Sequence, residues 1–195
     1  MKLSPKDMRA IRAVATVASL DKARPLLCGV RIQPRDGGST IVATDSYRMA
    51  WMDIDEPTDM EIIVGPDQVK AMKAISGPKA ELPATIEMVS EYVSALTWLG
   101  GSCEDDGFYG GTFPNWRQLV PSKLPDSVTQ SDVNGVAAFN PFYLAGLATA
   151  AKVLLIDNTT CVRAFFTDAS SPAYFRIVSH EAGTFNYLLM PVRVQ

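Results

Sequence analysis

Thr40-Ile41-Val42-Ala43-Thr44-Asp45-Ser46-Tyr47-Arg48-Met49-Ala50 is the stretch on which the fold turns. A β-branched run closes on Asp45-Ser46, whose side chains hydrogen-bond their own backbone and release the chain from a ladder, and a second strand-like run starts at once with Tyr47. By itself this predicts a hairpin. Two later segments share its mixture of apolar and turn residues: Phe113-Pro114-Asn115-Trp116-Arg117-Gln118-Leu119-Val120-Pro121 and Tyr187-Leu188-Leu189-Met190-Pro191-Val192-Arg193-Val194. The first reads as a connector, because Pro114 and Pro121 cannot donate to a central ladder. The second reads as the end of a strand spanning Phe185 to Arg193.

Working outward, one helix-entry device occurs three times. In Leu3-Ser4-Pro5-Lys6-Asp7, Ser4 can cap, Pro5 suits the first helical position, where an N–H has no partner, and Asp7 falls in the favourable first turn. Gly65-Pro66 and Asn140-Pro141 repeat it, at intervals of 61 and 75 residues from proline to proline. Behind each entry runs an apolar stripe at helical period: Met8, Ile11, Val14, Ala15 and Ala18; then Val69, Met72 and Ile75; then Leu144, Leu147 and Ala151. Strand-like runs follow each helix. They are Leu27 to Gln33, Thr40 to Ala43 and Tyr47 to Ile54, with a turn at Pro34 to Gly38; then Ala84 to Val89, Tyr92 to Leu99 and Gly107 to Thr112, the last after an acidic turn Glu104-Asp105-Asp106; then Thr160 to Thr167, Ala173 to Val178 and Phe185 to Arg193. With Lys2-Leu3, Met60 to Val64 and Val136 to Phe139 as opening strands, the chain reads as three β-α-β-β-β units of class α+β. Ser122 to Asn134 is polar and turn-rich, a linker. It divides a complete two-unit domain, residues 1–123, from a linker and half domain, residues 124–195.

The composition, 195 residues with 47% hydrophobic and 20% charged, suits a folded globular chain. No run approaches the roughly 18 apolar residues of a spanning helix, and MKLSPKDMRA lacks an apolar signal core, so the expected compartment is the cytoplasm, with no membrane partner. Cys28, Cys103 and Cys161 lie far apart without C-x-x-C spacing, which argues against a zinc site or a disulfide framework. His180, the one histidine, reads as a strand-end residue. A net charge of −3 gives no whole-protein attraction to nucleic acid.

In their order, the three segments resemble the bacterial DNA polymerase III β subunit, the sliding clamp, where ATD-x-x-R, FP-x-x-R-x-x-P and a terminal MP-x-R surround one hydrophobic pocket. The chain is similar to its middle domain plus the second half of its last domain, a shortened form. The resemblance implies the DNA-clamp fold, with sheets outside and helices inside. It also implies a processivity factor that encircles double-stranded DNA and tethers DNA polymerase or other clients through their clamp-binding peptides, with a clamp loader among its partners and no cofactor. A familiar ring has twelve units, so three per chain imply a homo-oligomer, a tetramer. A third unit lacking its half-domain partner would expose a sheet edge, which self-association would cover. The shortened architecture suggests a phage or mobile-element source. By the same resemblance the pocket wall is Leu27, Thr44, Ser46, Tyr47, Arg48, Met49 and Pro121, with Asn140, Tyr143, Leu188, Leu189, Met190, Pro191, Val192, Arg193 and Val194. Leucine, methionine and proline give such a wall adaptable apolar surface, while Thr44, Arg48 and Asn140 can orient a short extended ligand. Taken singly, Met49, Leu188 or Met190 is more often a core side chain.

Lys6, Arg9 and Arg12 on the first helix and Lys70 and Lys73 on the second are the charges a DNA-lined lumen needs, since phosphate contact depends on charge placement without base reading. The third helix offers only Lys152. A plain solvated face accounts for such charges equally well. Enzyme readings find no support: a lone histidine, no G-x-S-x-G, no Walker A, no Gly-rich nucleotide fingerprint and only scattered acids at Asp53, Asp55, Glu56 and Asp59, which read as loop surface. Two classes of function remain, a ring-forming clamp and a non-ring module that competes for clamp-binding peptides.

Overall fold

Each helix starts where local chemistry places it. In the computed structural model, which describes residues 1–90, 93–105, 112–121, 138–157, 159–166 and 171–192, Ser4 closes a capping box with Asp7 ahead of α1 (Pro5–Val14). Gly65 precedes α2 (Pro66–Ile75), where Gln68 supplies the returning side chain, and Asn140 caps α3 (Pro141–Val153) by accepting from the Phe142 N–H. The strands are β1 (Lys2–Leu3), β2 (Val30–Arg35), β3 (Gly38–Thr44), β4 (Arg48–Ile54), β5 (Ile62–Val64), β6 (Ala84–Met88), β7 (Ser94–Trp98), β8 (Gly101–Asp105), β9 (Val162–Phe165), β10 (Ala173–Ser179) and β11 (Gly183–Leu189). The α+β plan with a thrice-repeated helix-and-strands unit holds.

The strands form two antiparallel sheets, ordered β5-β2-β3-β4-β11-β10-β9 and β1-β6-β7-β8. The first two units exchange their opening strands: Leu3 of β1 pairs with Ala84 of β6, and Val64 of β5 pairs with Val30 of β2. The third unit joins edge to edge, Leu188 opposite Met49 and Leu189 opposite Arg48. The helices lie beside one another in the order α2, α1, α3. α1 and α3 cover one face of the large sheet and α2 packs on β8 of the small one, and in the core they share Met8, Ile11, Ile32, Ile41, Met52, Phe185 and Tyr187 are fully buried with Met72, Ile86 and Leu96. The opposite face of that sheet carries a second buried cluster of Leu27, Val42, Met49, Trp51, Phe113, Trp116, Tyr174 and Leu188. Strand alternation divides the two: Met49 and Trp51 point one way, Ala50 and Met52 the other.

Several sequence expectations are corrected. The second unit has a strand that the sequence does not predict, β8, because Gly100 at φ +96° makes Leu99-Gly100 a two-residue turn with Trp98 opposite Gly101; of the strand expected at Gly107 to Thr112 only Thr112 is among the described residues. Glu104 and Asp105 therefore lie in a strand, not in an acidic turn. Residues 107–111 lie outside the described residues, as does Tyr92. Pro34 sits within β2 opposite Ser39, tolerated because β5 pairs only as far as Ile32 and leaves one side of β2 without a ladder there. Leu27 precedes β2, in a 3₁₀ turn Pro25–Leu27. Asp53 stands in β4, accepting from the Thr40 hydroxyl and pairing with Arg35, instead of on a loop. β11 stops at Leu189, short of the expected Arg193, because Pro191 cannot continue the ladder. Of the opening strand expected at Val136 to Phe139, residues 136–137 lie outside the described residues and Ala138 and Phe139 form no strand. The linker expected at Ser122 to Asn134 also lies outside them. Among the described residues, no helix is long and apolar enough to cross a membrane.

Candidate functional site

The turn that joins β3 to β4 is built from side chains binding nearby backbone. Thr44 Oγ1 donates to the Arg48 carbonyl at 2.8 Å and accepts from the Ser46 N–H at 3.1 Å, while Asp45 Oδ1 accepts from the N–H groups of Tyr47 and Arg48, each at 3.0 Å. Ser46 takes the left-handed conformation, φ 80°, which turns Tyr47 outward; its hydroxyl accepts from Arg24. Arg48 then reaches across to the third unit. Its Nε donates to Asp45 Oδ2 at 2.9 Å, and its guanidinium lies 4.7 Å from the centre of the Tyr143 ring on α3. Burial works against the Arg48 charge, but hydrogen bonds with Asp45 and Tyr187 outweigh it and raise its pKa. Tyr187 donates to the Tyr143 carbonyl at 2.6 Å, and burial pushes its hydroxyl up to about 12. Gly146 leaves the room: a Cβ there would sit 3.1 Å from Arg48 Nη1 and 3.4 Å from the Tyr187 oxygen.

The chain beyond β11 continues along the same seam. Met190 N–H donates to the Tyr47 carbonyl at 2.9 Å and Val192 N–H to the Ala138 carbonyl at 2.8 Å, while the Tyr47 and Tyr143 rings stack 6.2 Å apart. Thr44 to Met49, Asn140 to Tyr143 and Leu188 to Val192 thus meet at one place. Their accessibility differs. Tyr47, Met190 and Val192 are 58, 40 and 49% exposed, Ser46 and Pro121 are exposed, and Pro191, Arg48, Asn140 and Tyr143 are half-buried. Leu27, Thr44, Met49 and Leu188 are buried beneath them, and Leu189 points to the helix side of the sheet. Asn140 spends its side-chain oxygen on the cap of α3. Arg193 and Val194 lie outside the described residues.

The connector Phe113 to Pro121 packs beside Leu27, Met49 and Leu188 on the face of the large sheet away from the helices. Phe113 is buried under the Arg31 guanidinium, and Trp116–Leu119 is a 3₁₀ turn whose Trp116 ring lies 5.7 Å from Trp51. The sequence reading missed Gln33, Trp51, Trp116, Gly146 and Tyr187. Trp116 and Tyr187 lay inside the quoted segments; the buried amide of Gln33 and the small size of Gly146 acquire meaning only from partners 84 and 98 residues away.

The five cations proposed to face DNA separate into two kinds. Lys6, Lys70 and Lys73 are exposed. Arg9 and Arg12 are half-buried and lean across to the C-terminal end of α2, where backbone carbonyls favour a cation: Arg12 Nη1 donates to Ser76 Oγ at 2.9 Å and Arg9 reaches the Gly77 carbonyl at 3.5 Å. Burial and the nearby Arg9 charge lower the pKa of Arg12. Among the described residues, no group of three or more His, Cys, Asp or Glu side chains could hold a metal ion.

No protein-family model matches the chain. Over 180 residues, 90% of its length, it is 23% identical to the β sliding clamp of Micrococcus luteus, of which it spans 52%. Its whole length superposes on the sliding clamp (DNA polymerase III subunit beta) of Bartonella birtlesii bound to griselimycin, with a TM-score of 0.75, 18% identity and 66% of that chain covered. The β subunit of DNA polymerase from Streptococcus pyogenes gives 0.71, 19% and 66%, and the griselimycin-bound clamp of Pseudomonas aeruginosa 0.71, 16% and 65%. The chain therefore has the DNA-clamp fold in a shortened form: it spans about half the length of the curated relative and just under two thirds of these structural ones. These relatives are bacterial and give no support to a phage source.

Proposed function

We propose that the chain is a DNA sliding clamp, a processivity factor that holds DNA polymerase or other clients by short hydrophobic peptides. The observation that carries the reading is the convergence of three remote segments around Tyr47, Tyr143 and Met190, which leaves accessible apolar side chains over a buried floor of Leu27, Met49 and Leu188. Apolar groups with a few fixed polar ones at an inter-unit seam are what a peptide groove requires. The complete domain, residues 1–123, and the half domain, 124–195, go with this reading. So does a homotetramer: β9 ends the large sheet with Val162 and Phe166 exposed, and four chains of three units supply the twelve of a ring. Double-stranded DNA would pass along the helices, contacting Lys6, Lys70 and Lys73, with Arg9 and Arg12 beside them, and a clamp loader would open the ring. The protein would act in the cytoplasm, as a binding protein without a reaction of its own. A non-ring competitor for clamp-binding peptides is the second reading, favoured by the net charge of −3 and by the engagement of Arg9 and Arg12 with α2.

Calorimetry with griselimycin tests the groove. The parent chain should bind, and Met190→Glu should weaken binding by about tenfold or more, equivalent to about 1.4 kcal/mol. Met190 is 40% exposed, so circular dichroism and melting of the variant should match the parent. Unchanged affinity in the folded variant would remove the groove. Sedimentation at micromolar concentration separates the two readings: a species well above 21.2 kDa supports the ring, and a monomer throughout supports the competitor.

A further inference from the structure

Gln33 is a buried polar side chain on β2, 7% exposed, whose amide joins three groups. Its Oε1 accepts from Trp116 Nε1 at 3.1 Å and from Arg117 Nη1 at 2.9 Å, and its Nε2 donates to Glu61 Oε1 at 3.2 Å. The two donors to Oε1 belong to the connector, and the connector's backbone gives it no comparable attachment. Among the described residues, its backbone hydrogen bonds are internal, Trp116 N–H to the Pro114 carbonyl and Val120 N–H to the Arg117 carbonyl. Phe113 and Trp116 hold it to the sheet by apolar contact, which resists removal but fixes orientation weakly. The directional bonds to it come from the Gln33 carboxamide. Its oxygen positions the indole against Trp51 and the guanidinium 4.6 Å from the Trp116 ring centre, and Leu119, Val120 and Pro121 follow within the next few residues.

We infer that Gln33 is the positioning residue of the proposed peptide groove: acting through Trp116 and Arg117, it fixes the Leu119–Pro121 wall over the floor of Leu27, Met49 and Leu188. The inference rests on the reading of this seam as a peptide site, but its structural half stands apart from that reading. Gln33→Leu keeps roughly the volume and removes the acceptor, so that the buried indole N–H and the guanidinium lose their partner together. Gln33→Glu keeps an acceptor for both donors; the bond to Glu61 becomes a contact between two carboxylates, which Arg31 on Glu61 and Arg117 on residue 33 offset and which Glu61, its side chain 53% exposed, relieves by turning to solvent.

The test uses the full chain in two measurements. Hydrogen–deuterium exchange should show residues 112–121 exchanging faster in Gln33→Leu while β3 and β4 keep their protection, with Gln33→Glu close to the parent. Calorimetry with griselimycin should show Gln33→Leu weaker by about fivefold or more and Gln33→Glu within about twofold of the parent. If Gln33→Leu does not fold, Arg117→Leu, at an exposed position, removes one of the two bonds and should shift both measurements in the same direction. Unchanged exchange over residues 112–121 in folded Gln33→Leu or Arg117→Leu overturns the positioning role, whether or not the parent binds the probe. Faster exchange with unchanged griselimycin affinity overturns its link to the groove. A parent that does not bind griselimycin, with the exchange change present, refutes the groove reading and leaves the orientation of the connector assigned to Gln33.

Discussion

Arg48 and Asp45 form the least exposed ion pair among the described residues, with side chains 16 and 13% accessible. Arg48→Met keeps most of the apolar stem but leaves Asp45 Oδ2 without its Nε donor, and takes a cation from the Tyr143 ring and the Tyr187 hydroxyl. Removing one member of a fully buried pair costs about 3–5 kcal/mol. Asp45 Oδ1 keeps both backbone N–H donors and about a seventh of each side chain meets solvent, so about 2–3 kcal/mol is expected here. Asp45→Asn should cost less, about 1–2 kcal/mol, and the double-mutant cycle should return a coupling of about 1–2 kcal/mol. With a urea m-value near 2 kcal/mol/M, the Arg48→Met midpoint should fall by about 1–1.5 M. Gly146 adds a change of sign. In the parent, a Cβ 3.1 Å from Nη1 displaces the guanidinium and Gly146→Ala destabilises; with Met at 48 the obstruction is gone, and alanine's helix propensity, about 1 kcal/mol over glycine, should make the same substitution neutral or stabilising. A loss below about 0.5 kcal/mol for Arg48→Met, or a Gly146→Ala effect independent of residue 48, would refute the picture of a locked arginine joining the two units.

Tyr187 should give the protein an alkaline limit. Its folded pKa of about 12 lies above the roughly 10 of an unfolded tyrosine, so the unfolded chain releases the proton first; stability is level below about pH 10 and then falls by about 2–3 kcal/mol towards pH 12. Tyr187→Phe should be less stable at neutral pH, by about 1 kcal/mol for the lost bond to the Tyr143 carbonyl, but should fall less steeply between pH 10 and 12; parallel curves would contradict the assignment. Leu155, just past α3, is held at φ 59°, a conformation that costs a side-chain-bearing residue about 1–2 kcal/mol. Because it is 45% exposed and loses little packing, Leu155→Gly should raise the melting temperature by about 2 °C, and a lower value would show that its contacts matter more than its strain.

The three helix entries were readable because a cap and a first-turn proline act within four residues: Ser4, Asp7 and Asn140 do in the structure what their spacing predicts. Sheet membership was not readable. Lys2-Leu3 and Ile62–Val64 are too short to carry a periodic signal, and nothing in either segment says that its partner belongs to the other unit. Gly101–Asp105 is illegible as a strand because its alternation is masked by glycine, serine and two acids, and the turn before it depends on the positive φ of Gly100. At the candidate site the motifs name the segments that meet, but facing is hidden: Leu188 and Leu189 look alike in sequence, and only their register against Met49 and Arg48 sends one to the Trp51 face of the sheet and the other to the helix face.

The exchange of opening strands also sets a timetable for the nascent chain. Leu3 must wait for Ala84, 81 residues later, before β1 has a partner, and the free edge of β4 waits from Met49 to Leu188, 139 residues. At a synthesis rate of about 5–20 residues per second, that edge stays open for about 7–28 s on the ribosome. An unpaired strand rich in Met, Ala and Trp is a template for association with other emerging chains. Overexpression should therefore be limited by occupancy of chaperones on an unfinished sheet, and fusing a partner to the C-terminus would delay release without shortening the wait.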